Sequence, residues 1–440
     1  IVEAKTFADA EKAVYKFPRK QKDNKYTNFF RNFKSFYEKL HAYQESNLDV
    51  LVNGFLTKCQ IIEIKSWQIE QAITMFNSLN STGMPLSDAD IISAQLFSKA
   101  PDEIDFKAIW EPIIRQADEL AQKKVINIDS VLQQFMYINR AKGREYETGQ
   151  LNTPGVRKYY TVIKPELLND PIDICAKFDR ILKIWSQIQV YPLTKLLLKF
   201  NENFKLFLIS YLFRVPEQEL SEQSATPIME SLLRLFALLE VGDFGFSSRY
   251  FKTFLFNENF KLVDPEYSIE SIIADFDKHI NTTWQKEEVI ADLKEYDKNI
   301  LVYLNEYIYA KEHGLYFDFT PDKVNVEHIM PASGHNIETI RIDAGMTKEE
   351  FDDMVNLIGN KILLEEDINK HIGMDWFKTK KGTLVQDKKG YVGSNFGIAS
   401  ALSSYPADKW GKKDIESANS KAVERICRFI FNEPKVIGEE

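Results

Sequence analysis

The chain has 440 residues, 44% of them hydrophobic and 13% aromatic, with a formal net charge of −9. That length predicts more than one domain, and the composition is rich enough for large apolar cores. The charge excludes a protein coated in positive charge. With no run of about 18 apolar residues and no basic-then-apolar leader at its start, the chain is expected to have neither a membrane span nor a signal peptide.

Three cysteines, Cys59, Cys175 and Cys427, stand too far apart for a disulfide framework or a Cys-rich zinc motif, which predicts buried thiols and a reducing cytoplasm. Positive charge is local. Residues 12–39 hold nine Lys or Arg against two acids, and residues 368–413 hold nine Lys against three Asp. Each cluster reads either as a phosphate-facing surface or as a solvated helix face.

In chain order, the Phe29/Phe33/Phe36/Leu40 spacing predicts a helix whose aromatics face a core. Cys59–Ile64 reads as a strand and residues 67–80 as a helix. The breaker-rich stretch 80–86 is a turn, and Ser87 with Asp90 marks a helix N-terminus. From about 101 to 310 the periodicity is helical, clearest over 172–188, 204–213, 227–239 and 286–309, with breaks at 153–155, 215–216 and 264–265.

After Gly314 the texture changes. Residues 315–319 and 324–328 read as short strands, 331–346 as a loop, and Thr347 to Glu350 as a capping box whose helix ends near Asn356. A strand follows at 361–364, then a Ser/Gly/Ala-rich loop at 394–411 and a closing helix at 421–431. The fold expected is mainly α, with a small α+β domain near the C-terminus; the division expected is 1–100, 101–312 and 313–440.

The chemistry is concentrated in Glu327-His328-Ile329-Met330-Pro331, followed 32 residues after His328 by Asn360 and nine further on by Asn369. A neutral, oriented His can take a proton from water. Asn360 either accepts from that ring or fixes the loop that positions it. Glu327 and Asn369 offer hard oxygen donors of the kind Mg2+ or Mn2+ prefers, and such a cation would polarise a phosphoryl oxygen. His335 lies in the loop, where contact with substrate competes with simple exposure. Lys378, Lys380 and Lys381 stand where they could bind the phosphates flanking a cut.

These residues resemble a known family. Val326–Pro331, the Ile358-Gly359-Asn360 core, Asn369, Phe377 with Lys380, and Tyr391 with Ser394 are similar to the carboxy-terminal nuclease domain of GmrSD-type modification-dependent restriction enzymes, of the HNH or ββα-metal class. Residues 76–97 resemble the end of the GmrS-type domain. The resemblance implies His328 as general base, Asn360 as the residue orienting the catalytic loop, and Glu327 and Asn369 as metal ligands, in an H-N-N variant with Glu where many HNH enzymes carry Asp. It implies a metal-dependent endonuclease or nickase acting on modified or foreign phage DNA in the cytoplasm. The alternative is a non-catalytic DNA- or partner-binding module on an HNH scaffold. The Asp-Gly-Gln-Gln-Arg motif that the family links to nucleotide use is absent. An amino-terminal truncation is therefore expected, with NTP use belonging to the missing part.

Overall fold

The structure, a computed structural model, describes residues 32–33, 35–39, 45–58, 75, 87–144, 153–242, 249–382 and 389–435. It divides into two compact units, residues 1–75 and 76–440. In the first, helix α1 (Glu45–Lys58) is described, and Phe36 is exposed rather than in a core. Phe29, Leu40, the strand expected at 59–64 and, Met75 apart, the helix expected at 67–80 lie outside the described residues, as does the turn at 80–86.

The second unit is mainly helical. α2 (Asp88–Lys99) opens on a reciprocal cap: Asp90 N donates to Ser87 Oγ at 3.1 Å and Ser87 N to Asp90 Oδ2 at 3.0 Å. α3 (Phe106–Gln122), α4 (Ile128–Lys142), α5 (Pro171–Ile188), α6 (Pro192–Phe200), α7 (Phe204–Arg214) and α8 (Glu222–Val241) follow. α5 begins where Pro171 needs no N–H partner and Asp170 caps the first turn. α9 (Phe254–Lys261), α10 (Ile269–Thr283), α11 (Lys286–Lys294) and α12 (Ile300–Glu312) complete the helical region; the single helix expected over 286–309 is broken between Lys294 and Ile300. α8 and α12 are apolar on nearly every face, and both are correspondingly buried. Cys175 and Cys427 are buried free thiols, pushed by burial up to about 12 and about 11.

The small sheet is β1 (Val324–His328) paired antiparallel with β2 (Lys361–Glu365), Glu327 opposite Ile362 and His328 opposite Lys361. Between them lie α13 (Ile337–Asp343) and α14 (Lys348–Met354). After them come α15 (Glu366–Ile372), which packs on both strands, α16 (Phe377–Lys381), α17 (Gly397–Ser403) and α18 (Lys412–Ile430). Residues 315–319 are not a strand. Phe317 and Phe319 alternate inward as the pattern predicts, but they dock on Tyr307 and Tyr303 of α12, at 5.5 and 5.2 Å between ring centroids, with no strand alongside among the described residues. α13 and α17 occupy stretches expected to be loop, and α18 starts nine residues before the helix expected at 421. No helix among the described residues is long and apolar enough to cross a membrane.

Candidate active site

Two clamps hold the backbone that follows Glu327. The first is the turn before β2. Gly359 sits against α18, where a Cβ would meet Asn419 N at 2.3 Å and Ile415 O at 2.5 Å, so only glycine fits there. Its N–H donates to Asn419 Oδ1 at 3.2 Å. Asn360 is thereby placed fully inside, where its amide serves backbone alone. Oδ1 accepts from Met330 N at 2.8 Å, and Nδ2 donates to Met330 O at 2.9 Å and to Val355 O at 2.8 Å. Ile329 N donates to Asn360 O at 2.9 Å. Asn360 does not bond His328; it fixes the chain two residues beyond it.

The second clamp is Lys380, 1% exposed. Its ammonium donates to Glu327 Oε1 at 2.5 Å, His328 O at 2.8 Å and Ile329 O at 3.3 Å. Tyr391 OH donates to the same Glu327 oxygen at 3.3 Å. Burial pushes the Glu327 carboxyl above the usual carboxylate range and the Lys380 ammonium below its usual one, while their attraction opposes both shifts. At the far end of β2, Glu365 accepts from Ser394 Oγ and Asn395 N, each at 2.8 Å. The Phe-x-x-Lys and Tyr-x-x-Ser patterns thus converge on the two strand carboxylates, with Phe377 packed among Tyr391, Tyr405 and Trp410.

His328, at the end of β1, is half-buried. Its Nε2 lies 3.2 Å from Asn356 Oδ1. With that oxygen accepting, Nε2 carries the proton and Nδ1 keeps its lone pair. Burial lowers the affinity of the ring for a second proton, and the positive charges of Lys361 and Lys380 lower it further, against the pull of Asn356. The imidazole is therefore neutral at pH 7. By sequence Asn356 is legible only as the end of a helix; its position four residues before Asn360, at the mouth of the same turn, is the signal that it faces the site.

Asn369 is half-buried in an open cleft of about 470 Å3, beside Asn299, Asn325 and Val326. His335 is exposed. Of the three lysines expected on DNA, Lys380 is sequestered on Glu327. Lys381 is turned onto Tyr405 O at 2.9 Å and Ala407 O at 2.6 Å, and the exposed Lys378 pairs with Asp408 at 3.0 Å. A buried ammonium cannot reach a phosphate, so Lys380 is corrected from a DNA contact to an internal one.

Lys380 and Tyr391 both bond Glu327 Oε1, so a divalent cation on this carboxylate would meet Oε2, with the Lys380 ammonium close by and opposing it. Among the described residues no three His, Cys, Asp or Glu side chains gather as metal ligands.

Residues 2–97 match the family described as GmrSD restriction endonuclease, N-terminal domain, and residues 275–423 match GmrSD restriction endonucleases, C-terminal domain. Neither match covers 98–274. No curated protein and no solved structure matches the chain.

Proposed function

The chain belongs to the GmrSD restriction endonucleases, and from that membership we propose that it hydrolyses phosphodiesters of modified or foreign DNA with His328 as general base. The strand–strand–helix order of β1, β2 and α15 is the basis for reading an HNH-type centre within a C-terminal nuclease domain at 313–440, behind a helical region at 101–312 and a GmrS-like remainder at 1–100. The observation that carries the reading is the setting of His328. The imidazole is neutral, Asn356 orients it, and the backbone beyond it is held by both Asn360 and Lys380. Nδ1 takes a proton from water, the hydroxide oxygen attacks phosphorus, and the bond to the leaving deoxyribose oxygen breaks as that oxygen gains a proton from solvent.

A divalent cation, Mg2+ or Mn2+, enters the reading through the family, and when bound it neutralises charge on the phosphate. Glu327, whose Oε2 takes no part in the Lys380 and Tyr391 bonds, and Asn369 are the residues that would hold it, and proton transfer and attack rest on His328 and the residues that position it. The test incubates purified protein with supercoiled plasmid and modified phage DNAs in Mg2+ or Mn2+, with His328→Ala alongside. Nicks or breaks from wild type alone are expected. Equal cutting by His328→Ala would remove the imidazole from the mechanism.

The buried Glu327–Lys380 pair favours a second reading, a DNA-binding module in which this fold is only a scaffold. Salt-dependent DNA binding untouched by His328→Ala, with no cleavage product, would select it.

A further inference from the structure

The open cleft beside Asn369, about 470 Å3 in volume, is lined in part by a residue outside both family matches. That residue is Lys199, in the last turn of α6. Tyr303 of α12 and Asn325 and Val326 of β1 line the same cleft, so a helix of the unmatched region faces the strand that carries Glu327 and His328.

Lys199 is set differently from the lysine one turn before it. Lys195 Nζ lies 2.6 Å from Asp318 Oδ1, and its charge is met inside the protein. Among the described residues Lys199 has no carboxylate partner; its ammonium lies 5.0 Å over the centre of the Tyr303 ring. Tyr303 is buried and packs on Phe319 at 5.2 Å between ring centroids, which makes the ring a fixed platform. An aromatic face attracts an ammonium without accepting a conventional hydrogen bond from each N–H, so donors remain for an acceptor in the cleft. The stem of Lys199 is half-buried, which limits the freedom lost when the head group binds.

The other polar lining groups are amides, those of Asn299, Asn325 and Asn369. An ammonium beside several amides is a donor set suited to phosphate oxygens. Position along β1 says which phosphate. Side chains two apart on a strand share a face, so Val326 and His328 point the same way, roughly 7 Å apart. That spacing spans one or two phosphates of a DNA strand.

We propose that Lys199 is a positioning residue for the substrate, its ammonium binding a phosphate one or two places from the phosphate attacked at His328. The proposal rests on the reading that the chain acts on DNA. It gives the helical region a direct part in seating the strand to be cut.

The test measures binding of the full chain to short plain and modified duplexes in EDTA, where no cutting competes, over a series of salt concentrations. Lys199→Gln removes the charge and Lys199→Arg keeps it. One phosphate contact contributes about 0.9 to the slope of log affinity against log salt. Lys199→Gln is expected to lower the slope by about that amount and to weaken binding of every duplex alike, and Lys199→Arg to restore both. A lysine that only supported the fold would not change the slope of the folded protein. With Mg2+ added, Lys199→Gln is expected to act chiefly on KM. An unchanged slope in a folded Lys199→Gln, or no binding by wild type, overturns the proposal. The two readings fail separately. Cutting that needs His328 in a chain whose slope ignores Lys199 retires the role of Lys199 alone. A Lys199-dependent slope in a wild type that never cuts retires the nuclease reading and leaves Lys199 as a phosphate contact.

Discussion

Lys380 Nζ lies 2.5 Å from Glu327 Oε1, in a contact where the two side chains are 1% and 9% exposed. Removing one partner of a buried pair leaves the other charge without compensation, at about 3–5 kcal/mol. Lys380→Ala is therefore expected to lower stability by about that amount, and Glu327→Gln combined with Lys380→Met to lower it by much less. Urea unfolding of the single and double variants measures the difference. The same pair governs metal affinity if Glu327 is a ligand at all. Taking away the ammonium removes a positive charge beside that carboxylate, so Lys380→Met is expected to bind Mn2+ roughly tenfold more tightly than wild type by calorimetry. An unchanged affinity would leave Glu327 as a counter-ion only.

Asn360 offers a sharper test of geometry than of charge. Its amide nitrogen faces two carbonyls, Met330 O and Val355 O, while its oxygen faces the Met330 N–H. Asn360→Asp keeps the shape and turns both donors into an acceptor aimed at acceptors. Each buried group left unpaired costs about 1–3 kcal/mol. Asn360→Asp is expected to destabilise at least as much as Asn360→Ala and, like it, to abolish cutting. Thermal unfolding beside the plasmid assay checks both; near-normal stability in Asn360→Asp would mean that the clamp is not formed.

Glu306 on α12 predicts a pH effect on stability. Burial pushes its carboxyl up to about 7 although Gly397 N and Ile398 N donate to it. The folded value lies above the unfolded one, so between about pH 4.5 and 7 the folded chain binds more protons than the unfolded chain. This contribution is complete below the unfolded value and is lost as pH rises through about 7, an effect on the order of 3 kcal/mol at about 1.4 kcal/mol per unit. Glu306→Gln is expected to flatten that part of the stability–pH curve. An identical slope in the variant would assign the effect to other groups.

The motifs readable in the sequence are the local ones: a cap at Ser87, a capping box at Thr347, and a His and an Asn at the ends of paired strands. What Lys380 touches is not readable there. It stands among three lysines in five residues and reads as surface, and its partner lies 53 positions away. Nothing in the spacing says that α16 turns that side chain inward. The short helices α13 and α17 escape the sequence for a related reason. Seven residues do not sustain a helix in water, so these form through packing rather than propensity. Asn356 is the end of a helix by sequence and a partner of His328 only once β1 and the turn are brought together.

Gly359 links these levels, because its missing side chain lets the turn that carries Asn360 press on α18. A Cβ there would stand 2.3 Å from Asn419 N and 2.5 Å from Ile415 O, both backbone atoms of a long helix that cannot yield by rotating a side chain. The turn must move instead. Overpacking of this kind costs about 1–3 kcal/mol, and the shift would be passed to Asn360 and through it to Met330. Gly359→Ala is therefore expected to keep a folded chain of reduced stability and to lose cutting far beyond what that loss explains. Circular dichroism at a temperature where the variant is fully folded, with the plasmid assay run at that temperature, separates the two effects. Full activity in a folded Gly359→Ala would show that the position of Asn360 does not set that of His328.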